Sequence, residues 1–398
     1  MCGILAIIGN SSDALNRLKK LQHRGQESYG FITNTGQCHR ELGKIEDHTL
    51  TGNVVMAHVR YSTTRVKHHL ASCQPLISSD FAIIHNGNIP NYKEIAEKEN
   101  LNLILETDSE IIVRIIEKYG LDKGMLWILE NIERAFSIII MYGNELYVIR
   151  DRYGNRPLYI GQNEDSYCIA SESCCMQGYM VNSQTERGSI IRFTKNEYHI
   201  IAKVNNSMGF CSFEYIYYMS HQTIDVYNKR FEHGWLLGLD EISKADIVVC
   251  MPNTSIAAAE GFSFAVKLPF RKNWIRKHSS ERTFILPENT MRIEASNKAY
   301  IISQDDLSGK RIFLIDDSIV RGNTLRGMTQ KLYSIGVAEI HIRIASPPVV
   351  NICRWGIDIP SKDELYVNSS DKIKCDSIRY LDYSKVGRGC KECFELEW

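Results

Sequence analysis

The second residue of the chain is a cysteine, and removal of Met1 would make Cys2 the amino terminus. The thiol and the new α-amine would then lie on one residue, so that a nucleophile and a proton acceptor are adjacent. An α-amine has a reference pKa of about 8, which leaves a useful fraction of it neutral in the cell. Cys2 is therefore a candidate nucleophile for cleaving an amide, although a cysteine could also stand there by chance.

Three polar clusters in the first half of the chain could assist such a thiol. Arg60 could clamp a substrate carboxylate in a bidentate pair. Asn86 and Gly87 offer a side-chain amide and an unobstructed backbone N–H, the two donors that an oxyanion hole needs. Asp108 could hold a substrate ammonium, or it could only favour the dipole of the helix that it begins. Taken singly, each has a plain alternative as a surface charge, a turn or a helix cap.

A second candidate site follows an apolar strand later in the chain, in the string IDDSIVRGNT. Asp316 and Asp317 end the strand, and their carboxylates suit ribose hydroxyls or Mg²⁺. The loop Ser318–Thr324 then leads into a helix, whose amino-terminal N–H groups suit a phosphate. Ligands of parallel sheets bind beyond the carboxyl ends of the strands, which is where these residues are expected.

Composition limits the possible function classes. The chain has 398 residues, enough for two or three domains, with Lys+Arg and Asp+Glu both equal to 47. This balance gives no reason to expect nucleic acid or membrane as a partner. No long apolar stretch and no signal-peptide pattern occur, so we expect a cytoplasmic protein. Twelve cysteines in such a protein indicate thiols or metal ligands rather than a disulfide framework.

The elements expected around Cys2 form an α+β domain of packed sheets with helices outside. Ile4–Ile8 reads as a buried strand ended by Gly9. A capping box, Thr107-x-x-Glu110, begins a helix that Gly120 ends. The remaining predictions are helices at 13–23 and 125–132, strands at 53–61 and 81–85, and a hairpin of 136–142 with 145–151 around Gly143-Asn144.

From about residue 206 the pattern changes to that of an α/β domain. Apolar strands are predicted at 246–251, 311–315 and 339–345, with helices at 256–265 and up to Ile335. Continuous apolar strands that alternate with helices indicate a parallel sheet covered on both faces. We therefore expect two domains, residues 2–205 and 206–398.

The first half resembles the class II glutamine amidotransferases, which are amino-terminal-nucleophile hydrolases with stacked antiparallel sheets and outer helices. The resemblance implies that Cys2 is the nucleophile and that Asn86 and Gly87 stabilise the oxyanion. It also implies that Arg60 and Asp108 hold glutamine, in a pocket that Arg24 and Tyr61 line. The matching strings are CGI at Cys2, HRGQES from His23, HVRYST from His58, HNGNI from His85, TDSE from Thr107 and RDRYGNRPL from Arg150.

The second half is similar to the type I phosphoribosyltransferases, which use phosphoribosyl pyrophosphate (PRPP). The resemblance implies that Asp316 and Asp317 bind the ribose hydroxyls and Mg²⁺, and that Thr254 helps to hold the metal and pyrophosphate. The residues implied to bind PRPP are Asp316, Asp317, Ser318, Val320, Arg321, Gly322, Asn323, Thr324 and Arg282.

Together the halves resemble the glutamine PRPP amidotransferase family, in strings that include FEYIYY from Phe213, ERTFILP from Glu281 and ASPPV from Ala345. The resemblance implies that ammonia passes internally to PRPP and yields 5-phosphoribosylamine and pyrophosphate, the first step of purine synthesis. It also implies a homotetramer that purine nucleotides inhibit.

The spacing Cys390-x-x-Cys393 is a two-ligand clip of the kind that iron–sulfur clusters and zinc use. In the iron–sulfur branch of the family, the positions of Cys211, Cys353, Cys390 and Cys393 ligate a [4Fe–4S] cluster. Zinc or four reduced thiols are the alternatives. The other cysteines have no such context.

Several residues depart from the family pattern in the transferase half. Asn253 replaces an acidic residue, Asn323 replaces a threonine and Leu325 replaces a small polar residue. The segment Arg276–Glu281 lacks the usual glycine and arginine. Two alternatives to the complete enzyme therefore stand: a glutaminase with another acceptor, and a PRPP- or nucleotide-binding regulator whose transferase loops have changed.

Overall fold

A computed structural model describes residues 2–61, 70–105, 107–205, 209–277, 300–356 and 361–395. The chain divides into two compact units, Met1–Cys211 with Arg354–Ile357, and Ser212–Cys353 with Asp358–Trp398. The short piece near residue 355 belongs to the first unit because Arg156 Nη2 donates to the Trp355 carbonyl at 2.6 Å. The Tyr153 and Trp355 rings also pack with their centroids 4.4 Å apart. No helix among the described residues is long and apolar enough to cross a membrane.

The first unit contains two antiparallel sheets. Its strands are β1 Gly3–Ile8, β2 Ser28–Thr33, β3 Cys38–Leu42, β4 Val54–Arg60, β5 Leu76–Ile77, β6 Phe81–Gly87, β7 Phe136–Tyr142, β8 Glu145–Arg150, β9 Tyr159–Gln162, β10 Tyr167–Ala170, β11 Met180–Gln184, β12 Ser189–Phe193 and β13 Tyr198–Lys203. The spatial orders are β11-β9-β10-β1-β4-β2-β3 in one sheet and β13-β12-β8-β7-β6-β5 in the other. β1 is thus central in its sheet, and β3 is an edge strand.

The described helices of the first unit are α1 Ala14–Lys19, α2 Tyr92–Lys98, α3 Asp108–Tyr119 and α4 Leu121–Asn131. α3 and α4 cover the second sheet, with Ile112 and Ile128 packed against Ile138. The helix predicted at 13–23 is shorter than expected, since it ends at Lys19 and Gln22–Arg24 form a separate 3₁₀ turn. That turn directs the side chain of Arg24 back towards β1.

The core between the two sheets explains the apolar run at the start of the chain. Ile4, Ala6 and Ile8 face inward and pack in one cluster with Ile84 and Ile139 of the second sheet. The alternate residues of β1 are also fully buried, so the strand is covered on both faces. The predicted strand Ile4–Ile8 is confirmed, and it provides a rigid support for the residue before it.

The start of α3 forms half of the predicted capping box. Thr107 Oγ1 accepts a hydrogen bond from the Glu110 N–H at 3.3 Å, as an N-cap should. The Glu110 carboxylate does not reach back to Thr107 but accepts from the N–H groups of Ile104 and Leu105. Gly120, with φ of +78°, ends the helix as predicted.

The second unit is built on a parallel sheet of order β14-β17-β18-β19, as the sequence predicts. Its described strands are β14 Ile247–Cys250, β15 Ile275–Lys277, β16 Tyr300–Ile302, β17 Arg311–Asp316, β18 Glu339–Ile344 and β19 Ser377–Tyr380. Its described helices are α5 Val226–Leu239, α6 Ile256–Val266, α7 Gln304–Leu307 and α8 Asn323–Ser334. α5 and α6 meet closely, because a Cβ added to Gly234 would lie 1.8 Å from the Ala258 carbonyl oxygen.

Candidate active sites

Cys2 lies directly before β1, a strand that is buried on both faces. Its Sγ is 3.5 Å from the backbone nitrogen and 3.5 Å from the carbonyl oxygen of Tyr61, which follows β4. Close packing fixes this position, since a Cβ added to Gly3 would lie 2.8 Å from Val59 Cγ2. The thiol is half-buried and adjacent to the end of β4, where the structure places both Arg60 and Tyr61.

Arg24 connects the backbone of Cys2 to a buried carboxylate that the sequence did not single out. Its Nε donates to the Cys2 carbonyl at 3.0 Å, and its Nη1 donates to Glu172 Oε1 at 2.6 Å. His23 Nε2 lies 2.8 Å from the same oxygen. Both partners of the Arg24–Glu172 pair are buried, so the two charges are held in one arrangement.

The charge state of Glu172 follows from this pair. Burial alone would raise the pKa of its carboxyl group, but His23 and Arg24 outweigh that effect and hold the pKa well below its ordinary value. Glu172 is therefore ionised at neutral pH and keeps Arg24 against the Cys2 backbone.

We expect Glu172→Gln to lower the free energy of unfolding by about 3–5 kcal/mol, because it leaves the buried Arg24 charge unpaired. Glu145→Gln is the matched control, since Glu145 pairs with Arg192 near the surface, and it should cost about 1 kcal/mol or less. The pKa of Glu172 is lower in the folded state than in the unfolded state, so its ionised carboxylate stabilises the fold above the unfolded pKa. This stabilisation is lost in acid. The difference between wild type and Glu172→Gln in urea titrations should therefore narrow as the pH falls below 4.5. Equal costs for the two variants would contradict this role of Glu172.

Asn86 and Gly87 are the last residues of β6. Asn86 is buried, and its Nδ2 has no hydrogen-bond partner among the residues that the structure describes. A buried amide donor without a partner is costly, and it is available to a substrate oxygen. Gly87 allows no side chain, because a Cβ there would lie 2.3 Å from His85 Nε2 and 2.8 Å from the Ala135 carbonyl oxygen. Asn86 thus offers the kind of donor that an oxyanion hole needs.

The structure brings Asp108 next to this segment. Its Oδ2 accepts from the N–H of Ile89 at 3.1 Å. His85 Nδ1 lies 3.0 Å from the hydroxyl of Ser109, to which Gln74 also donates at 3.0 Å. These bonds fix the start of α3 against the end of β6. One Asp108 carboxylate oxygen is therefore committed to the backbone.

Arg60 ends β4 and is half-buried. Its Nη1 donates to the hydroxyl of Ser72 at 2.7 Å. Gly25 packs on the Arg60 backbone, where an added Cβ would lie 2.4 Å from the carbonyl carbon. The glycine of the HRGQES string is therefore needed for close packing. Ser62 and Thr63 of the HVRYST string lie outside the described residues.

Asn86→Ala is expected to lower kcat for glutamate release by about 10²–10³-fold, with a smaller change in KM for glutamine. The reason is that an oxyanion donor acts mainly in the transition state. Asn196→Ala, at an exposed asparagine, should leave both constants unchanged. Steady-state kinetics with glutamine measure the two constants, and an unchanged kcat in Asn86→Ala would exclude this role.

In the second unit, Asp316 ends β17 and Asp317 follows it. Ser318 donates its hydroxyl to Asp317 Oδ1 at 2.8 Å, and the Asp317 N–H donates to Asp316 Oδ1 at 2.9 Å. The Thr254 hydroxyl, from the loop after β14, donates to the other oxygen of Asp317. Two strand-end loops thus meet at the carboxylate pair.

The electrostatics of this pair favour a cation. Burial, and after it the negative charge of Asp317, raise the pKa of the Asp316 carboxyl group well above its usual value. A divalent cation at the two carboxylates would relieve the repulsion between them, and carboxylate and hydroxyl oxygens are ligands that Mg²⁺ accepts. The residues present therefore fit Mg²⁺.

The loop from Ser318 to Thr324 ends at the amino terminus of α8. Gly322 caps the helix with φ of +80°, and an added Cβ would lie 2.9 Å from the Tyr366 ring. Tyr366 donates its backbone N–H to the Val320 carbonyl at 2.7 Å. Arg326 donates to the Arg321 carbonyl at 3.0 Å from inside α8. The loop is thus braced from both sides, with a helix amino terminus that suits a phosphate.

The structure describes most of the residues that depart from the family pattern in this half. Asn323 Oδ1 accepts from Arg326 Nη1 at 2.9 Å, so its side chain braces the loop. Leu325 is buried in the core under the sheet. Asn253 is exposed after β14, and Arg276 and Lys277 lie in β15. Arg282 and residues 278–281 lie outside the described residues.

Near the carboxyl terminus, Cys390 and Cys393 are both buried. The Cys393 carbonyl accepts from the N–H groups of Val350 at 2.9 Å and Asn351 at 3.2 Å. The Cys390 carbonyl accepts from the N–H of Ser212 at 3.1 Å. The cysteine clip is therefore fixed to the segment that leads to Cys353 and to the start of the second unit.

Three kinds of comparison place this chain among known proteins. The family model described as "Glutamine amidotransferase domain" matches residues 1–209. The amidophosphoribosyltransferase of Archaeoglobus fulgidus is 32% identical, over 96% of this chain and 92% of that protein. The human amidophosphoribosyltransferase is 30% identical, over 93% of this chain and 84% of that protein.

Solved structures agree with the sequence relatives. The glutamine PRPP amidotransferase from B. subtilis, complexed with ADP and GMP, superposes with a TM-score of 0.88 at 28% identity and covers 100% of this chain and 97% of that one. A structure described as the allosteric regulatory enzyme of purine biosynthesis gives a TM-score of 0.86 at 28% identity.

Proposed function

Because the chain belongs to the amidophosphoribosyltransferase family, we propose that it moves ammonia from glutamine to PRPP, giving glutamate, pyrophosphate and 5-phosphoribosylamine in the first step of purine synthesis. The observation that carries the proposal is the presence of two complementary sites on one chain. A half-buried amino-terminal-type thiol lies in the first unit, and a carboxylate pair with a phosphate-type loop lies in the second. The relatives are named amidophosphoribosyltransferases, and the chain covers 92% and 84% of the two compared above, which favours catalysis over a purely regulatory role.

In the first unit, the Cys2 thiol attacks the side-chain carbonyl carbon of glutamine, and the Cys2 α-amine accepts the thiol proton. The carbonyl oxygen becomes an oxyanion, which Asn86 Nδ2 and the Gly87 N–H stabilise. The C–N bond then breaks as the amine returns the proton to the leaving nitrogen, which departs as ammonia. Water hydrolyses the thioester and releases glutamate, which restores the thiol.

Substrate glutamine is held by the charged groups near Cys2. Arg60 pairs with the α-carboxylate, and the Asp108 oxygen that does not bind the Ile89 N–H accepts from the α-ammonium. Arg24 and Tyr61 line the same pocket through their contacts with Cys2. This assignment is supported by the placement of Arg60 and Tyr61 at the end of β4, beside the thiol.

In the second unit, Asp316 and Asp317 hold the ribose hydroxyls of PRPP, and the N–H groups at the start of α8 hold its 5′-phosphate. Ammonia attacks C1 of the ribose, and the C1–O bond to pyrophosphate breaks. Asp316, Asp317 and Thr254 would hold Mg²⁺, which when bound neutralises charge on the leaving pyrophosphate. Arg282 is also proposed to contact PRPP.

The functional test is pyrophosphate release from PRPP by the purified full chain with Mg²⁺. Release is expected with either glutamine or free ammonia as the nitrogen source, and it should stop when PRPP is omitted or Mg²⁺ is chelated. If the protein binds PRPP but releases no pyrophosphate with either nitrogen source, the alternative of a PRPP-binding regulator would be supported instead.

We also propose that Cys211, Cys353, Cys390 and Cys393 bind a [4Fe–4S] cluster. The buried clip and its hydrogen bonds to the backbone near Cys353 support this assignment. Protein prepared without oxygen should be brown, with absorbance at about 400 nm and bound iron and sulfide. Cys393→Ser should lose the colour and Cys38→Ser, at an exposed cysteine, should keep it. A colourless protein that contains zinc would contradict the cluster.

The B. subtilis relative is described in complex with ADP and GMP. We propose that purine nucleotides inhibit this chain, and that it forms a homotetramer. Inhibition assays with ADP and GMP and measurement of the mass in solution test these two points.

A further inference from the structure

A cluster of two histidines and a glutamate lies on the edge strand β3, apart from every residue assigned above. His39 and Glu41 are two residues apart on β3 and therefore project from the same face. His48 comes from the loop that follows β3. Their ligand-type atoms lie within 4.8 Å of one another, and all three side chains are partly exposed. The group is thus accessible to an ion from solvent.

The buried Tyr29 hydroxyl lies within hydrogen-bond distance of all three side chains. It donates to Glu41 Oε2 at 2.7 Å and lies 2.9 Å from His48 Nε2 and 3.4 Å from His39 Nε2. His39 Nε2 is itself 3.0 Å from Glu41 Oε2. The imidazole rings of His39 and His48 pack with centroids 4.2 Å apart. One ligand-type atom from each residue, His39 Nε2, Glu41 Oε2 and His48 Nε2, is therefore directed into one small volume.

One of these distances is close to what a zinc ion requires. Zinc binds imidazole nitrogen and carboxylate oxygen at about 2.0–2.2 Å, so neighbouring ligands of a tetrahedral site lie about 3.3 Å apart. The measured separation of 3.0 Å between His39 Nε2 and Glu41 Oε2 is close to this value. Two histidines and one glutamate are a known ligand set for zinc that leaves a position for water.

The loop that carries His48 is already held in place by contacts with α1 and with the 3₁₀ turn that follows it. Lys19 pairs with Asp47, and the Ile45 N–H donates to Gln22 Oε1 at 2.9 Å. His48 therefore needs little ordering when an ion binds, which reduces the entropic cost of forming the site.

We propose that His39, Glu41 and His48 form a zinc-binding site that fastens the loop after β3 to the edge of the sheet. Tyr29 acts as the outer partner that orients Glu41, as such partners of metal ligands commonly do. The proposal is independent of the proposed function, since none of these residues has a role in either reaction.

The test measures zinc binding by the full chain. The protein is used either with the [4Fe–4S] cluster assembled or with its cysteines in the state in which they were purified. His48→Gln and Glu41→Gln should each weaken binding at this site by about 100-fold or more, since even outer partners change affinity by about 10–100-fold. Tyr29→Phe should weaken it by about 10-fold. Added Zn²⁺ should raise the melting temperature of wild type but not of His48→Gln.

His199→Gln is the matched control. His199 lies on β13, and its Nε2 is 3.2 Å from the carboxylate of Glu197. This pair does not belong to the three-residue group. This variant should bind zinc like wild type. Cobalt used in place of zinc distinguishes this site from the cysteines. Cobalt bound to cysteine sulfur gives a thiolate charge-transfer band, and cobalt bound to nitrogen and oxygen does not. If His48→Gln and Glu41→Gln bind as much zinc as wild type with the same affinity, the cluster is only a hydrogen-bonded one and the proposal is wrong.

Discussion

Cys2→Ala should reduce glutamine-dependent glutamate release by at least about 10⁴-fold, as removal of a covalent nucleophile does in other enzymes. The same variant should release pyrophosphate from PRPP with free ammonia at a rate close to that of wild type. The reason is that Cys2 lies in the first unit and the residues proposed to bind PRPP lie in the second. The variant changes one small side chain at a strand start, so the fold should persist.

Two assays on one preparation measure this separation: glutamate from glutamine, and pyrophosphate with ammonium as the nitrogen source. Cys38→Ala, which removes an exposed thiol from β3, controls for general effects of losing a cysteine. Loss of both activities in Cys2→Ala would show that Cys2 has been assigned the wrong role, provided that its unfolding curve matches that of wild type.

Asp316→Asn should impair the transferase reaction, which Cys2→Ala should leave intact. Pyrophosphate release should fall by about 10²–10³-fold with glutamine and with free ammonia alike, because the variant weakens the cation site and its preorganised charge. The substitution also removes the repulsion between Asp316 and Asp317, so folding stability should not fall. A loss of transfer without a loss of stability would identify Asp316 as a functional group.

Asp305→Asn is the control for this prediction, since Asp305 is an exposed carboxylate in the first turn of α7. It should leave pyrophosphate release unchanged. If Asp316→Asn retained wild-type transfer at saturating Mg²⁺, the carboxylate pair would have no part in the reaction.

The sequence predicted the elements whose signal is local. The run Ile4–Ile8 is buried on both faces, so its apolar composition alone identified a strand. Thr107 and Gly120 mark the ends of α3 by side-chain capping and backbone conformation, which are local properties. The parallel sheet followed from three apolar strands alternating with helices.

Contacts between distant residues could not be predicted in this way. Glu172 pairs with Arg24 across 148 positions of the chain, and no spacing rule connects them. A buried arginine implies a carboxylate partner, but burial of Arg24 was itself visible only in the fold. The contact between Tyr29 and His48 could not be predicted either, because it depends on the path of the loop after β3.

The capping box shows a further limit of sequence motifs. Glu110 has the right spacing to bond back to Thr107, yet its carboxylate accepts from Ile104 and Leu105 instead. The preceding loop supplies two N–H groups in place of one, and this tertiary arrangement prevails over the local motif.

The most direct test of the whole account is the stoichiometry of the coupled reaction. Purified protein is given glutamine, PRPP and Mg²⁺, and glutamate and pyrophosphate are followed in the same samples. The account predicts that the two products form in equal amounts and that glutamate release rises when PRPP is added. Glutamate release that PRPP stimulates without any pyrophosphate would contradict it, because the second unit would then bind PRPP without transferring ammonia to it.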